Sequence, residues 1–456
     1  MKKLKKYSRQ AFAALFAVCV CISSFACKDT EASPVLPTYE SQDFVTFGFW
    51  SPYELTEESF EQYKQAGLNT MFFGNHSIRP WSSDNLHYLG SNATQRSLEL
   101  CRKVGLKALP SYGAGYYRNV EGKAFSDTPF SDYDLYGEYK DIIVGMHIAD
   151  EPSFDALDKY GNDDLTADYK SVYDVPYMVN LLPNYADSSR IGKQGYKHYV
   201  ETYANKIVQD FENNRLMSVD FYPFRSEGLH SSWLLCYNDM ANVAKRINSQ
   251  KSYYIQTAVK NEFQDTLGQD EIRMQLDVAM AFGADWFGFY CYAVPKKEQG
   301  DWLEPMYEYC MLNPDGTPSP LYYAVQGELA RISSFSSVYL AYDWVKTVPV
   351  AKEGERGSQA LRLLGNIDFT DTAIKKVKTS EDVIVGCFDS EKGEAFMLVN
   401  YGNPNGKKNA MVEMEISKGE YVAVYGLDSQ PQIVKLEKGK LSVTLSAGHG
   451  CFVVLL

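Results

Sequence analysis

The chain lacks an excess of positive charge: 45 Lys and Arg face 58 Asp and Glu, for a formal net charge of −13. A nucleic-acid ligand or an anionic membrane surface needs a basic face that displaces counterions, so neither is expected as the main partner. Cysteine is present but not patterned. Nine are spread along the chain, without the short paired spacing of a zinc site or a disulfide framework, so Cys101, Cys236, Cys291, Cys310, Cys387 and Cys451 are expected to be buried free thiols. No Gly-x-Gly-x-x-Gly follows the first predicted strand, which argues against a bound dinucleotide. There is no Gly-x-Ser-x-Gly elbow, no Ser-His-Asp spacing and no His/Asp cluster. No cofactor and no metal is expected.

What is present begins with an address. Lys2, Lys3, Lys5, Lys6 and Arg9 precede an apolar stretch, Ala11–Ile22, that is short for a permanent membrane helix and reads as a secretory signal. It ends Ser24-Phe25-Ala26-Cys27-Lys28-Asp29, which resembles a bacterial lipoprotein signal. That resemblance implies cleavage before Cys27 and acylation of its thiol. Lys28-Asp29 is similar to the export tag of surface-displayed lipoproteins, so the expected location is the outer membrane or cell surface, with membrane contact through the lipid alone. The ordinary alternative is a signal peptide that happens to contain a cysteine.

The 456 residues are too many for one ordinary domain, and 45% hydrophobic against 23% charged is a globular balance. After a polar tether over 27–40, apolar runs of strand length alternate with amphipathic segments. Predicted strands are Phe44–Tyr53, Leu68–Gly74, Leu106–Tyr112, Ile142–Ala149, Tyr177–Leu182, Leu216–Phe221, Tyr253–Ala258 and Trp286–Tyr292. Helices are predicted over Glu57–Ala66, Ala93–Val104, Tyr199–Phe211, Leu234–Ile247, Glu271–Phe282 and Leu321–Ser334, with Gly67 and Gly105 ending the first two. Such alternation requires parallel pairing, because each helix returns the chain to the same end of the sheet. The expectation is an α/β fold, a (β/α)8 TIM barrel over 41–336, with a doubly wound open sheet as the alternative. From about residue 338 short runs such as Ala360–Leu364, Val383–Phe388, Ala395–Asn400 and Gly450–Leu455 are separated by turn residues. This rhythm predicts a C-terminal antiparallel β-sandwich over 337–456.

In a βα barrel, reactive groups lie where strands end. The fourth predicted strand ends His147-Ile148-Ala149-Asp150-Glu151-Pro152, the fifth contains Asn180 and leads to Asn184, and the sixth ends Val219-Asp220-Phe221-Tyr222-Pro223. Gln256 closes the seventh, with Glu262 in the loop beyond, and the eighth carries Tyr290 and Tyr292. Trp50, His76 and Tyr112 follow the first three. The eight units, Asp150-Glu151-Pro152, Val219-Asp220-Phe221-Tyr222-Pro223 and the trailing sandwich together resemble the retaining glycoside hydrolases of the large TIM-barrel clan, over residues 41–456. The resemblance implies hydrolysis of an extracellular oligo- or polysaccharide, with Glu151 as general acid/base. Cleaving a glycosidic bond needs one neutral and one ionised carboxyl. The clan's nucleophile position holds Gln256, which cannot form a glycosyl ester. The second carboxylate is then Asp220 or Glu262, or else the barrel binds glycan without cutting it. Trp50, His76, Tyr112, Asp150, Asn180, Asn184, Tyr222, Gln256, Tyr290 and Tyr292 are candidate substrate contacts, through ring stacking or hydrogen bonds to hydroxyls. The bland readings are that the acids cap the next helix, Asp150 faces the wall, the aromatics pack and His147 is a core histidine.

If Cys27 is the lipid anchor, Cys27→Ser is expected to abolish incorporation of labelled palmitate. It is also expected to move the protein from the membrane pellet to the soluble fraction in an ultracentrifuge assay.

Overall fold

The computed structural model describes residues 34–50, 52, 54–73, 91–110, 137–157, 174–259, 267–294, 296–299, 302–305 and 307–456. Cys27, His76, Trp81, Tyr112 and Glu262 lie outside the described residues.

Eight parallel strands follow the predicted order: β1 Val45–Gly48, β2 Thr70–Phe73, β3 Lys107–Pro110, β4 Met146–Asp150, β5 Tyr177–Leu181, β6 Leu216–Val219, β7 Gln250–Gln256 and β8 Trp286–Tyr290. Six form one sheet in the order β1-β8-β7-β6-β5-β4, and β2 pairs with β3 in a separate two-stranded sheet. The two sheets touch at both ends. Asn69, entering β2, donates its backbone N–H to the Thr46 carbonyl of β1 at 3.2 Å, while Ala108 of β3 bridges in parallel to Ile143 just before β4. Among the described residues, hydrogen-bonded pairing therefore runs through six strands and two, with these contacts between them.

The strands are apolar on both faces, as parallel strands under helices must be. One face packs Phe47, Phe72, Leu109, Met178, Leu216, Tyr254 and Trp286 together away from the helices. The alternate residues, among them Phe44, Met71, Ala108, Ile148, Val179, Met217, Tyr253 and Phe287, join the helices in the main core. Those helices are α1 Glu57–Gln65, α2 Ser91–Val104, α3 Tyr196–Lys206, α4 Trp233–Arg246, α5 Gln269–Ala281 and α6 Pro320–Ser333. α1 starts with a capping box between Thr56 and Ser59. Gly67 follows it with φ +87°, and a Cβ there would stand 3.0 Å from Leu329 of α6. The expected C-terminal glycine is thus also a close-packing position.

The C-terminal segment forms antiparallel sheets. Its strands are β9 Asp343–Val350, β10 Ile374–Thr379, β11 Val383–Ser390, β12 Gly393–Asn400, β13 Ala410–Ile416, β14 Tyr421–Tyr425, β15 Gln432–Lys435, β16 Lys440–Leu445 and β17 Gly450–Leu455. They make a six-stranded sheet, β9-β11-β12-β17-β14-β15, and a three-stranded sheet, β10-β13-β16. Val385, Phe396, Leu398, Val412, Met414, Val422 and Val453 fill the space between them. Ala360–Leu364, expected as a strand, is instead part of a short helix, Gln359–Leu364, that buries Ala360, Leu361 and Leu364. Buried positions one and four residues apart suit a helix face, and the apolar run was too short for its period to be read.

Residues 36–456 pack as one unit. Thr347 donates to the carbonyl of Ala281 at the end of α5 at 2.6 Å, and Trp344 donates to it at 3.0 Å. A Cβ on Gly386 would stand 2.4 Å from that same oxygen, so β11 approaches α5 as closely as it does only because residue 386 has no side chain. Deeper in, Asp277 of α5 is fully buried. It accepts from Arg331 of α6 at 2.6 Å and from the backbone N–H of Gly450 on β17 at 2.8 Å. Removing one partner leaves a buried charge uncompensated. Asp277→Ala is therefore expected to lower the free energy of urea unfolding by about 3–5 kcal/mol, with sheet and sandwich probes shifting together.

Candidate active site

The strand ends bring three acids together. β4 pairs with β5 through a register shift between His147 and Ala149, a bulge that re-aims the residues after it. Glu151 then takes a left-handed backbone, φ +44°, and donates its N–H to the Asn180 carbonyl at 2.9 Å. Strict alternation would send Asp150 and Glu151 to opposite faces. The bulge and the left-handed residue break it, and both acids bear on Asp220, which follows β6.

Asp220 is 2% exposed, and its Oδ1 has no hydrogen-bond partner. Burial and the negative charges of Glu151 and Asp150 push its carboxyl well above the usual range; its hydrogen bond with Glu151 adds to this, and the one with Tyr222 opposes it. Asp150 is pushed up to about 6, first by desolvation and then by Glu151, against a hydrogen bond from Asn180 and the charge of Arg190. Solvent reaches Asp150 although protein surrounds it on most sides. Glu151 keeps 34% of its side chain exposed. Arg190, from the short helix Ser188–Ile191, lies 3.4 Å from its carboxylate and donates to its backbone carbonyl at 2.8 Å. Tyr199 joins the loops beneath, donating to the Pro152 carbonyl at 2.7 Å and accepting from Leu182 N–H at 3.3 Å.

Aromatic side chains wall the acids. Tyr222 and Tyr290 lie with ring centroids 5.3 Å apart, and the Tyr290 and Tyr307 hydroxyls are 3.0 Å apart. Trp50, with φ +63°, packs edge-on to Phe49 beside Tyr290. Tyr185 is 37% exposed, with the Arg225 guanidinium 5.1 Å from its ring centroid. Below, Tyr254 of β7 is buried with an unpartnered hydroxyl, its phenol pushed up by burial and by the charges of Asp150 and Asp220.

Four of the candidate substrate contacts are engaged by neighbours within the protein. Asn180 is buried and spends both ends of its amide, donating to Asp150 and accepting from Ser218, each at 3.1 Å; it positions the acid. Asn184 is held by Ser232, whose hydroxyl donates to it at 2.7 Å and whose carbonyl accepts from it at 3.1 Å. Gln256 is 6% exposed and closes a two-way pair with the Phe224 backbone, at 3.1 and 3.4 Å, so its amide braces the loop after β6. Tyr292 is fully buried against Tyr63, with centroids 4.7 Å apart, because the chain turns inward after β8. His147 packs edge-on to Phe49 and Phe72 in the core. Trp233 is fully buried in α4.

Arg190, Tyr185, Arg225, Tyr254 and Tyr307 were not picked out from the sequence. Tyr185 directly follows Asn184 after β5, and its loop position was a usable signal. Arg190 and Tyr307 carried none, being brought in from segments well beyond their strands. Among the described residues, no group of His, Cys, Asp and Glu is arranged to hold a metal ion.

No family model and no curated protein matches the chain. Solved glycoside hydrolases are among the structures it resembles. An α-amylase from Geobacillus thermoleovorans, complexed with acarbose, is 8% identical with a TM-score of 0.49, over 91% of this chain and 99% of that one. A 4-O-α-L-rhamnosyl-β-D-glucuronidase from Fusarium oxysporum is 10% identical with a TM-score of 0.42, over 93% and 99%. A family GH99 endo-α-mannosidase from Bacteroides thetaiotaomicron is 11% identical with a TM-score of 0.41, over 63% and 96%.

The acid cluster makes stability depend on pH. Asp150 has a folded pKa of about 6 against about 3.9 unfolded. The stability tied to its protonated form is complete below about pH 4 and is lost as pH rises through about 6. Asp150→Asn stays neutral throughout. It is expected to melt above the unsubstituted protein at pH 7 and to converge with it near pH 4, as read by circular dichroism melts.

Proposed function

We propose that this chain is a glycoside hydrolase acting on O-glycosidic bonds of an extracellular oligo- or polysaccharide, with Glu151 as general acid/base and Asp220 as second carboxylate. The observation that carries the reading is that Glu151, Asp150 and Asp220 lie close together where the parallel strands end, with Trp50, Tyr222 and Tyr290 packed beside them. We take the eight strands to close as a (β/α)8 barrel, with β2 and β3 completing the ring between β1 and β4. The support is the Thr46–Asn69 and Ala108–Ile143 contacts.

The chemistry follows from the charges. Burial and the charges of Glu151 and Asp150 push the Asp220 carboxyl up, and neighbouring buried carboxyls resist ionising together, so the Glu151–Asp220 pair holds a proton. A sugar ring entering the cleft separates them. Glu151, the longer and more exposed side chain, takes the proton to the leaving oxygen, and Asp220 is left ionised near the anomeric carbon, where positive charge develops. Asp150, held by Asn180, faces a sugar hydroxyl, and the tyrosine and tryptophan faces hold the rings. The lipoprotein-like residues 24–29 support export and a lipid on Cys27 at the outer membrane or cell surface, which sets the cleft among extracellular glycans.

A glycan-binding surface protein is the second reading. It is favoured by Gln256, an amide paired to backbone where a nucleophilic carboxylate would end β7. Incubation with a panel of reducing-end-labelled glycans separates the two. An enzyme releases shortened product, and Glu151→Gln is expected to slow that release by about 10²–10⁴-fold while leaving the melting curve cooperative. Retention on glycan affinity gels without any product supports the binder.

A further inference from the structure

Behind the aromatic wall two cysteines meet. The sulfurs of Cys291 and Cys310 are 2.8 Å apart, closer than unbonded sulfur atoms pack, and both residues are fully buried. They sit with Val294 in a small apolar cluster bounded by Trp50, Ala258, Tyr290 and Tyr307. The backbone brings them there. Met311 N–H donates to the Cys291 carbonyl at 3.3 Å and Leu312 N–H to the Tyr292 carbonyl at 2.8 Å, which lays the segment after Tyr307 against the chain leaving β8. Thr257 donates to the Cys291 carbonyl at 3.2 Å, and Ser319 donates to that of Cys310. Each cysteine is therefore held by hydrogen bonds on its own side. The sulfur contact follows from the packing of two fixed segments and not from a flexible side chain. The other described cysteines differ: Cys236 donates to the Tyr196 hydroxyl at 3.2 Å and Cys387 to a backbone carbonyl at 3.8 Å. Among the described residues, no other hydrogen bond joins two cysteine sulfurs.

We propose that Cys291 and Cys310 are a disulfide site, joined while the chain folds in an oxidising compartment. The oxidant is a disulfide donor, RS–SR. One cysteine thiolate attacks the donor, forming a mixed disulfide and releasing one RSH. The second attacks the protein sulfur of that mixed disulfide, forming the Cys291–Cys310 bond and releasing a second RSH. The two cysteines are oxidised by two electrons and the donor is reduced by two. The step precedes burial, because the folded cluster suppresses the reactive thiolate: desolvation raises the Cys291 thiol well above its ordinary value. Once formed, the bond closes the loop that carries the antiparallel hairpin Lys296–Gln299 and Trp302–Pro305, and ties Tyr307 to the end of β8 beside Tyr290. The rim of the cleft is thereby fastened covalently.

The test uses the full chain, refolded in a buffer of reduced and oxidised glutathione, then denatured without reductant in the presence of an alkylating maleimide. Peptide mass mapping is expected to find Cys291 and Cys310 unlabelled and joined in one cross-linked peptide, while Cys101, Cys236, Cys387 and Cys451 carry label. Adding reductant after denaturation is expected to make both available. The linked form is also expected to melt at a higher temperature than the same chain refolded in reductant alone. Labelling of both cysteines without reductant, or either one linked to a different cysteine, overturns the proposal. The mapping reads the unsubstituted protein, so it stands even if Cys291→Ala or Cys310→Ala fails to fold. It is independent of whether the cleft hydrolyses glycans.

Discussion

Like charges held in contact inside a protein cleft resist ionising together, and this constraint organises the mouth of the parallel strands. Asp220 lies buried close to Glu151 and Asp150, and the Arg190 guanidinium is placed on Glu151. The consequence is a site that keeps a proton at a pH where isolated carboxylic acids have lost theirs. Maintaining such a cluster opposes folding, so the surrounding structure must hold it. Asn180 and Ser218 link β4, β5 and β6 just below the acids, and Tyr199 ties the loops after β4 and β5 to α3. These are supports for charge placement, and most of them are neutral groups whose hydrogen-bonding capacity is already used.

The support extends outward through packing. The face of the strands turned from the helices is filled by large rings, Phe47, Phe72, Tyr254 and Trp286, so the cleft has a solid floor. On the far side of the helices the antiparallel sheets press on α5, with Gly386 admitting the carbonyl of Ala281 and Asp277 anchoring both α6 and β17. α5 follows β7 and precedes β8, so a helix clamped by the sandwich also braces two of the strands on which the cleft is built. The antiparallel sheets contribute to the site through this mechanical route, and none of the described site residues comes from them.

Much of the strand order was legible because parallel strands buried on both faces appear as apolar runs, and the first two return helices declare their ends with Gly67 and Gly105. Asp150, Glu151 and Asp220 were legible as residues at strand ends. Their convergence was not, since period-two alternation separates neighbours and only the bulge at His147–Ala149 and the left-handed Glu151 reunite them. The surroundings of the amides were hidden for a related reason. Asn180, Asn184 and Gln256 sit where ligand contacts belong, yet each found a partner within the protein, and a sequence does not reveal which hydrogen bonds are already taken.

The amino-acid order alone determined the alternation of elements, the acidic balance and the presence of acids and aromatics at strand ends. All of these are local, carried by composition, period and short spacing. Only the tertiary structure decided which acid is buried, which ring is a wall and which is core, and that Cys291 meets Cys310 across an intervening hairpin. Those outcomes depend on contacts between segments remote in the chain, whose geometry is set by packing after the backbone has closed.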